Sequence, residues 1–181
     1  AIIIGLIKQN LNSSNKLIVQ KAVEWIVSMQ NKDGGWAAFD KNNDKFFLNE
    51  HPFSDMDNLC DPSCPDITGR VLEALGLLNY AKYKEVCERG IEYLRRTQEP
   101  EGSWFGVWGV SYIYGTSNAL CGLSCQGISD DNMVRKALAW LKSMENQDGG
   151  WGECLESYAD KSLMGKGNST PSQTAWALMG L

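Results

Sequence analysis

One histidine, His51, stands in a chain of 181 residues. That scarcity argues against a zinc centre built on imidazole. No run of five like charges occurs, and 17 basic against 22 acidic side chains leave a formal charge of −5. With no basic footprint for a phosphate backbone, nucleic acid is excluded as a partner. A long apolar run is missing too: Ala1-Ile-Ile-Ile-Gly-Leu-Ile7 stops at Lys8, far short of the roughly 18 residues a membrane span needs. An initiator Met and a charged leader are also lacking, and the last residues, Thr174 to Leu181, read as a helix stopped in mid-pattern. Both ends are therefore expected to be cuts.

What is present is a globular composition, 43% hydrophobic, which excludes disorder. Six cysteines, at 60, 64, 87, 121, 125 and 154, are expected to be reduced and packed, because a chain of this size needs no staples. Cys60/Cys64 and Cys121/Cys125 suggest a zinc site only weakly, since their spacing is poor for a knuckle. Asp40, Asn42 and Asp44 have the flavour of a calcium loop, but Lys45 stands where that loop requires Gly and His51 where it requires Glu. No metal and no cofactor are expected.

An internal repeat sets the architecture. Ala22-Val-Glu-Trp-Ile-Val-Ser-Met-Gln-Asn-Lys-Asp-Gly-Gly-Trp36 returns as Ala137-Leu-Ala-Trp-Leu-Lys-Ser-Met-Glu-Asn-Gln-Asp-Gly-Gly-Trp151, and a looser copy runs from Gly90 to Trp104. Such self-similarity marks stacked supersecondary units. In each copy, apolar residues at helical spacing end at a Gly-Gly or Gly-Ser turn. A second helix type follows, at 66–75, 116–123 and 172–178, rich in small residues and nearly free of charge. A helix apolar around most of its circumference must be buried, whereas one with a charged face, such as Glu85 to Gln98, can meet water. Inner and outer helices therefore alternate. The fold class is all-α, and the long loops at one end of each pair favour an α/α toroid over an open solenoid. The chain is read as a single partial domain, 1–181, of an α6/α6 barrel.

The pattern of an aromatic-bearing helix, a Gln and then Gly-x-Trp resembles the QW motif of squalene and oxidosqualene cyclases. Gln30/Trp36 and Gln98/Trp104 match it, while the third copy keeps Trp151 and has Glu145 in place of Gln. Gly102 to Thr116 and Gly165 to Leu178 are similar to the carboxy-terminal half of squalene-hopene cyclases, and the resemblance covers the whole chain. It implies a barrel stiffened by the QW residues. It also implies an acid, the central Asp of an Asp-x-Asp-Asp-Thr-Ala motif, lying just upstream of Ala1, with the last barrel helices beyond Leu181. On that reading the segment by itself is inactive.

Polyene cyclisation needs a strong acid and a dry chamber that shelters a moving cation without offering it a base. Aromatic faces serve that purpose, at about 2 kcal/mol or more each when desolvated. Seven Trp, six Tyr and five Phe are available, although aromatics at helical spacing are mostly core. The resemblance places Trp108 and Tyr114 at the top of the pocket, with Tyr114 acting through its hydroxyl. It makes Phe39 a pocket aromatic where relatives often have Tyr, and brings Phe53 and Met56 to the cavity on a loop. It also makes Arg70 the partner of the catalytic Asp, with Asp66 beside it. From spacing alone, Asp66 and Arg70 share one helix face, and a plain first-turn anion bridged by Arg70 is the bland alternative.

The expected function is squalene cyclisation to hopene-type products. The alternatives are a longer polyprenyl or epoxide substrate on the same fold, or a non-catalytic toroid that binds a peptide or glycan. A squalene-like hydrocarbon implies a monotopic seat on the cytoplasmic face of a membrane, and a homodimer is allowed.

Overall fold

The computed structural model describes residues 2–8, 13–47, 59–79 and 81–181. Seven α-helices occur among them: α1 (Ile2–Lys8), α2 (Ser13–Ser28), α3 (Pro65–Leu78), α4 (Lys84–Thr97), α5 (Ser111–Cys125), α6 (Asn132–Ser143) and α7 (Pro171–Gly180). Short 3-10 turns lie at Ala81–Tyr83, Leu155–Tyr158 and Lys161–Leu163. Among the described residues the only β pairing is an isolated bridge between Asn43 and Asp61.

The helices form two layers. In the inner layer α3 packs against α1 on one side and α5 on the other, and α5 packs against α7. Behind them, α2 contacts α1, α4 contacts α3 and α6 contacts α5. The residue patterns explain the division. α5 buries Ser111 to Ile113, Gly115 to Leu120, Gly122 and Leu123, nearly its whole circumference, and carries no charge to hydrate. α4 buries only Cys87, Gly90, Tyr93 and Leu94, a single stripe, and turns its charged residues outward.

The inner helices touch backbone to backbone. A Cβ on Gly122 would collide with the carbonyl of Gly69, and one on Gly69 with the carbonyl of Asn118. Small residues at this crossing are therefore a steric requirement for the α3 and α5 contact. Leu72, Leu94, Ile113, Leu123 and Leu141 are completely enclosed in the core that results.

Each outer helix ends in the same turn. The indole N–H of Trp36 donates to Ile26 O at 2.8 Å, that of Trp104 to Leu94 O at 2.7 Å and that of Trp151 to Leu141 O at 2.8 Å. These carbonyls belong to the last helical turn, where the regular helix bonding runs out, so each Trp both fills the core and adds a donor to the end of the helix before it. The backbone N–H of each Trp is held by a threonine of the following inner helix: Thr68 at 3.0 Å, Thr116 at 2.9 Å and Thr174 at 3.0 Å. Gly34, Gly102 and Gly149 take the positive φ values, 92°, 107° and 79°, that close the turns.

Gln30 and Gln98 reach further. Gln30 Nε2 donates to Gly34 O at 2.9 Å and to Val86 O of α4 at 2.8 Å. Gln98 Nε2 repeats this with Gly102 O at 2.9 Å and Met133 O of α6 at 2.8 Å. Each glutamine thus binds its own turn to the next outer helix. Glu145, the third counterpart, is exposed, and an ionised carboxylate has no proton to donate to a carbonyl.

Candidate active site

The loops that join outer to inner helices carry the aromatic candidates. Phe39 and Trp108 meet edge to face, ring centres 5.3 Å apart and planes at 83°. They line a hollow of about 380 Å³ together with Phe46, Leu59, Cys64 and Val107, and the polar Asp40, Asn43 and Asp61 stand in the same lining. In contrast to the tryptophans of the turns, Phe39 is 70% and Trp108 50% exposed. A wider depression of about 880 Å³ lies on another face, among Glu99, Trp140, Met144 and Lys161. It is open, and an exposed Lys161–Glu99 ion pair at 2.8 Å sits in it.

Both aromatic loops are gripped by carboxylates. Asp61 accepts from the backbone N–H of Ala38 at 3.2 Å and from those of Phe39 and Asp40 at 2.6 Å each. Asp66, fully buried in the first turn of α3, accepts from Val107 N at 3.0 Å and Trp108 N at 2.9 Å through one oxygen, and from Ile67 N at 3.0 Å through the other. Charge-assisted bonds of this kind are stronger than neutral ones. They occupy both oxygens of Asp61 and both of Asp66. The Cys64 thiol is pushed well up, first by burial and then by the adjacent Asp66, so it stays protonated and uncharged.

The sequence candidates divide accordingly. Phe39 and Trp108 share the hollow, and Asp66 adjoins it through the Trp108 backbone. The bridge from Arg70 to Asp66 is not formed: Arg70 pairs with Glu73 at 2.8 Å, because Asp66 spends its oxygens on amides. Arg70 and Tyr114 are not part of this hollow's lining. Tyr114 packs edge-on against Trp176 of α7, ring centres 4.8 Å apart. Phe53 and Met56 lie outside the described residues. Among the described residues no three His, Cys, Asp or Glu side chains converge as metal ligands, and no helix is long and apolar enough to cross a membrane.

Sequence reasoning missed the carboxylate grips. Asp61 follows the loop it holds by more than twenty residues, and Glu153 lies forty or more from its partners, Tyr112 N and Ile113 N, each at 2.9 Å. Glu153 follows Gly-Trp-Gly directly, which marks it as close to a turn, but nothing local says what it holds. The threonine ties were hidden for a related reason. They lie 32, 12 and 23 residues from their tryptophans, so no fixed spacing announces them.

Helical hairpins side by side, with an aromatic-walled hollow on the loops joining outer to inner helices, define the class: a segment of an α/α toroid. Residues 1–181 match the family described as the squalene-hopene cyclase C-terminal domain, and the chain belongs to that family. It is 44% identical to a squalene hopane cyclase of Aspergillus fumigatus, over 100% of this chain and 30% of that protein. It is 48% identical to a squalene–hopene cyclase of Alicyclobacillus acidocaldarius, over 89% of this chain and 26% of the other. A dammaradiene synthase of Dryopteris crassirhizoma is 46% identical over 90% of this chain and 27% of its own length. The chain thus spans less than a third of each of these relatives.

Proposed function

We propose that this chain forms part of the cavity wall of an enzyme that cyclises squalene to hopene-type pentacyclic products. The observation that carries the reading is the Phe39 and Trp108 pair, exposed to a largely apolar hollow and held by a backbone whose partner carboxylates, Asp61 and Asp66, are already hydrogen-bonded. Such a wall offers a carbocation aromatic rings, and both oxygens of the Asp61 carboxylate in it are engaged by backbone amides. Desolvated faces of this kind are worth about 2 kcal/mol or more each, and placing them before the reaction begins costs nothing when the charge appears.

The initiating acid would lie outside this chain. Arg70, already paired with Glu73, has further guanidinium donors for a second anion. In this proposal they face the acid and favour its ionised form, which makes it a stronger proton donor. Tyr114 would serve that acid through its hydroxyl. A hydrocarbon substrate reaches such a chamber from a lipid phase, so a monotopic seat at the cytoplasmic face of a membrane belongs to the same proposal, with a homodimer as its allowed assembly. Incubating the intact enzyme that contains this segment with squalene, followed by gas chromatography and mass spectrometry, tests it. Pentacyclic products from the wild type and a severe loss of turnover in a folded Arg70→Ala variant are expected. Unchanged squalene with the wild type, or wild-type rates in the variant, would overturn it.

A further inference from the structure

The Trp108 segment is held from a second direction that the function above does not use. Between Trp104 and α5 the chain carries Gly106 and Gly109, and Val110, at the cap position of α5, has no side-chain cap. Left alone, this stretch would be among the most adaptable in the wall. The loop after Trp151 fixes it instead. Glu153, 6% exposed, supplies the missing cap by accepting from Tyr112 N and Ile113 N through Oε2.

Glu153 is locked in turn. Its own N–H donates to Gln173 Oε1 at 2.7 Å, and Gln173 Nε2 donates back to its carbonyl at 3.1 Å. Oε1 of Glu153 is buried and has no hydrogen-bond partner among the described residues. A buried carboxylate so incompletely paired is costly as packing material, and capping α5 gives a reason for its presence. Five residues on, the Tyr158 hydroxyl lies 2.7 Å from Gly109 O and 3.1 Å from Val107 O. Burial pushes this phenol above its ordinary value, so the proton it donates stays in place. Its ring meets Phe105 edge-on at 5.7 Å, and Ser157 Oγ donates to Ser111 Oγ at 3.2 Å.

We propose that Glu153 and Tyr158 are positioning residues: they fix the backbone of residues 107–113 opposite the grip of Asp66, and so set the orientation of Trp108 toward the reacting chain. The proposal rests on the cyclase reading. In it, one repeat shapes the pocket wall carried by the repeat before, and these two residues touch no substrate.

The test uses the intact enzyme with Tyr158→Phe, which keeps the ring at a half-exposed site, and with Glu153→Gln and Glu153→Ala. Hydrogen exchange of residues 107–113 is measured beside kcat, KM and the product spectrum. Tyr158→Phe and Glu153→Ala are expected to speed exchange in 107–113. They should lower kcat by on the order of tenfold to a hundredfold, as a small misplacement of a wall group does, with KM unchanged and a larger share of incompletely cyclised products. Glu153→Gln, which keeps an oxygen to accept both amides, should retain most of the wild-type behaviour. Wild-type kcat and products in Tyr158→Phe and Glu153→Ala overturn the proposal. So does faster exchange without a change in products, or a lower kcat without faster exchange. Wild-type turnover of squalene tests the functional reading separately, and if another polyprene is the substrate, the same variants are compared on that one.

Discussion

Trp104 and Trp108 stand four residues apart and live in different worlds. Trp104 is completely buried, its indole N–H on Leu94 O and its backbone N–H on Thr116. Trp108 is half exposed and edge-on to Phe39, and among the described residues Asp66 holds it by its backbone N–H. The first is spent on the scaffold, and the second is left open to the hollow. One residue type thus does two jobs, and what separates them is the partner of the indole ring.

The largest effect on stability should come from Trp104→Ala. It opens a cavity and removes the indole N–H from Leu94 O, at a cost of about 3–5 kcal/mol. Urea unfolding of the intact enzyme measures it, and a loss no larger than that of an exposed aromatic would dissolve the distinction. A smaller contrast separates the repeats. Gln98→Leu removes both donations, to Gly102 O and to Met133 O, and should cost about 1–3 kcal/mol because buried acceptors lose partners. Glu145→Leu at the equivalent exposed place should stay within about 0.5 kcal/mol. Equal losses in the same unfolding assay would mean that the glutamine ties contribute nothing particular to the junctions.

The smallest effect concerns the cap of α6. Asp131 is held below its ordinary value, first by its bond from Met133 N and then by Arg95. Its stabilising contribution is therefore complete above the unfolded carboxylate value of about 3.9 and disappears as pH falls through the folded value. Asp131→Asn keeps a capping oxygen and removes only the charge, a change of a few tenths of a kcal/mol at this exposed site. Melting curves of wild type and variant should differ slightly at neutral pH and converge in acid. Divergence on acidification would contradict the assignment.

Much of this was legible in the sequence because repetition makes a local rule visible. Ala137, Trp140, Leu141 and Met144 lie at helical spacing, and the Gly-Gly turn after them stops the helix, so the outer helices and their tryptophans could be read directly. The inner helices could be read from their small residues and sparse charge, α3 carrying only Asp66, Arg70 and Glu73. α5 nevertheless begins at Ser111, more than a turn before the Thr116 start that its pattern suggested. Its cap comes from Glu153, a residue far along the chain. Asp66 and Arg70 illustrate the same limit. Spacing correctly put them on one face, but the carboxylate found better donors in the Val107 and Trp108 amides, and Arg70 turned to Glu73. Local periodicity encodes which face a side chain occupies, whereas its polar partner depends on which loop arrives there.

If the exposed aromatics act on a ligand while the buried ones hold the scaffold, truncating one of each should separate activity from stability. Trp108→Ala in the intact enzyme, assayed for squalene conversion and urea unfolding on the same preparation, addresses this most directly. The predicted result is a severe loss of cyclisation with stability within about 1 kcal/mol of wild type, as expected for a half-exposed side chain. Full activity, or unfolding as deep as that of Trp104→Ala, would contradict it.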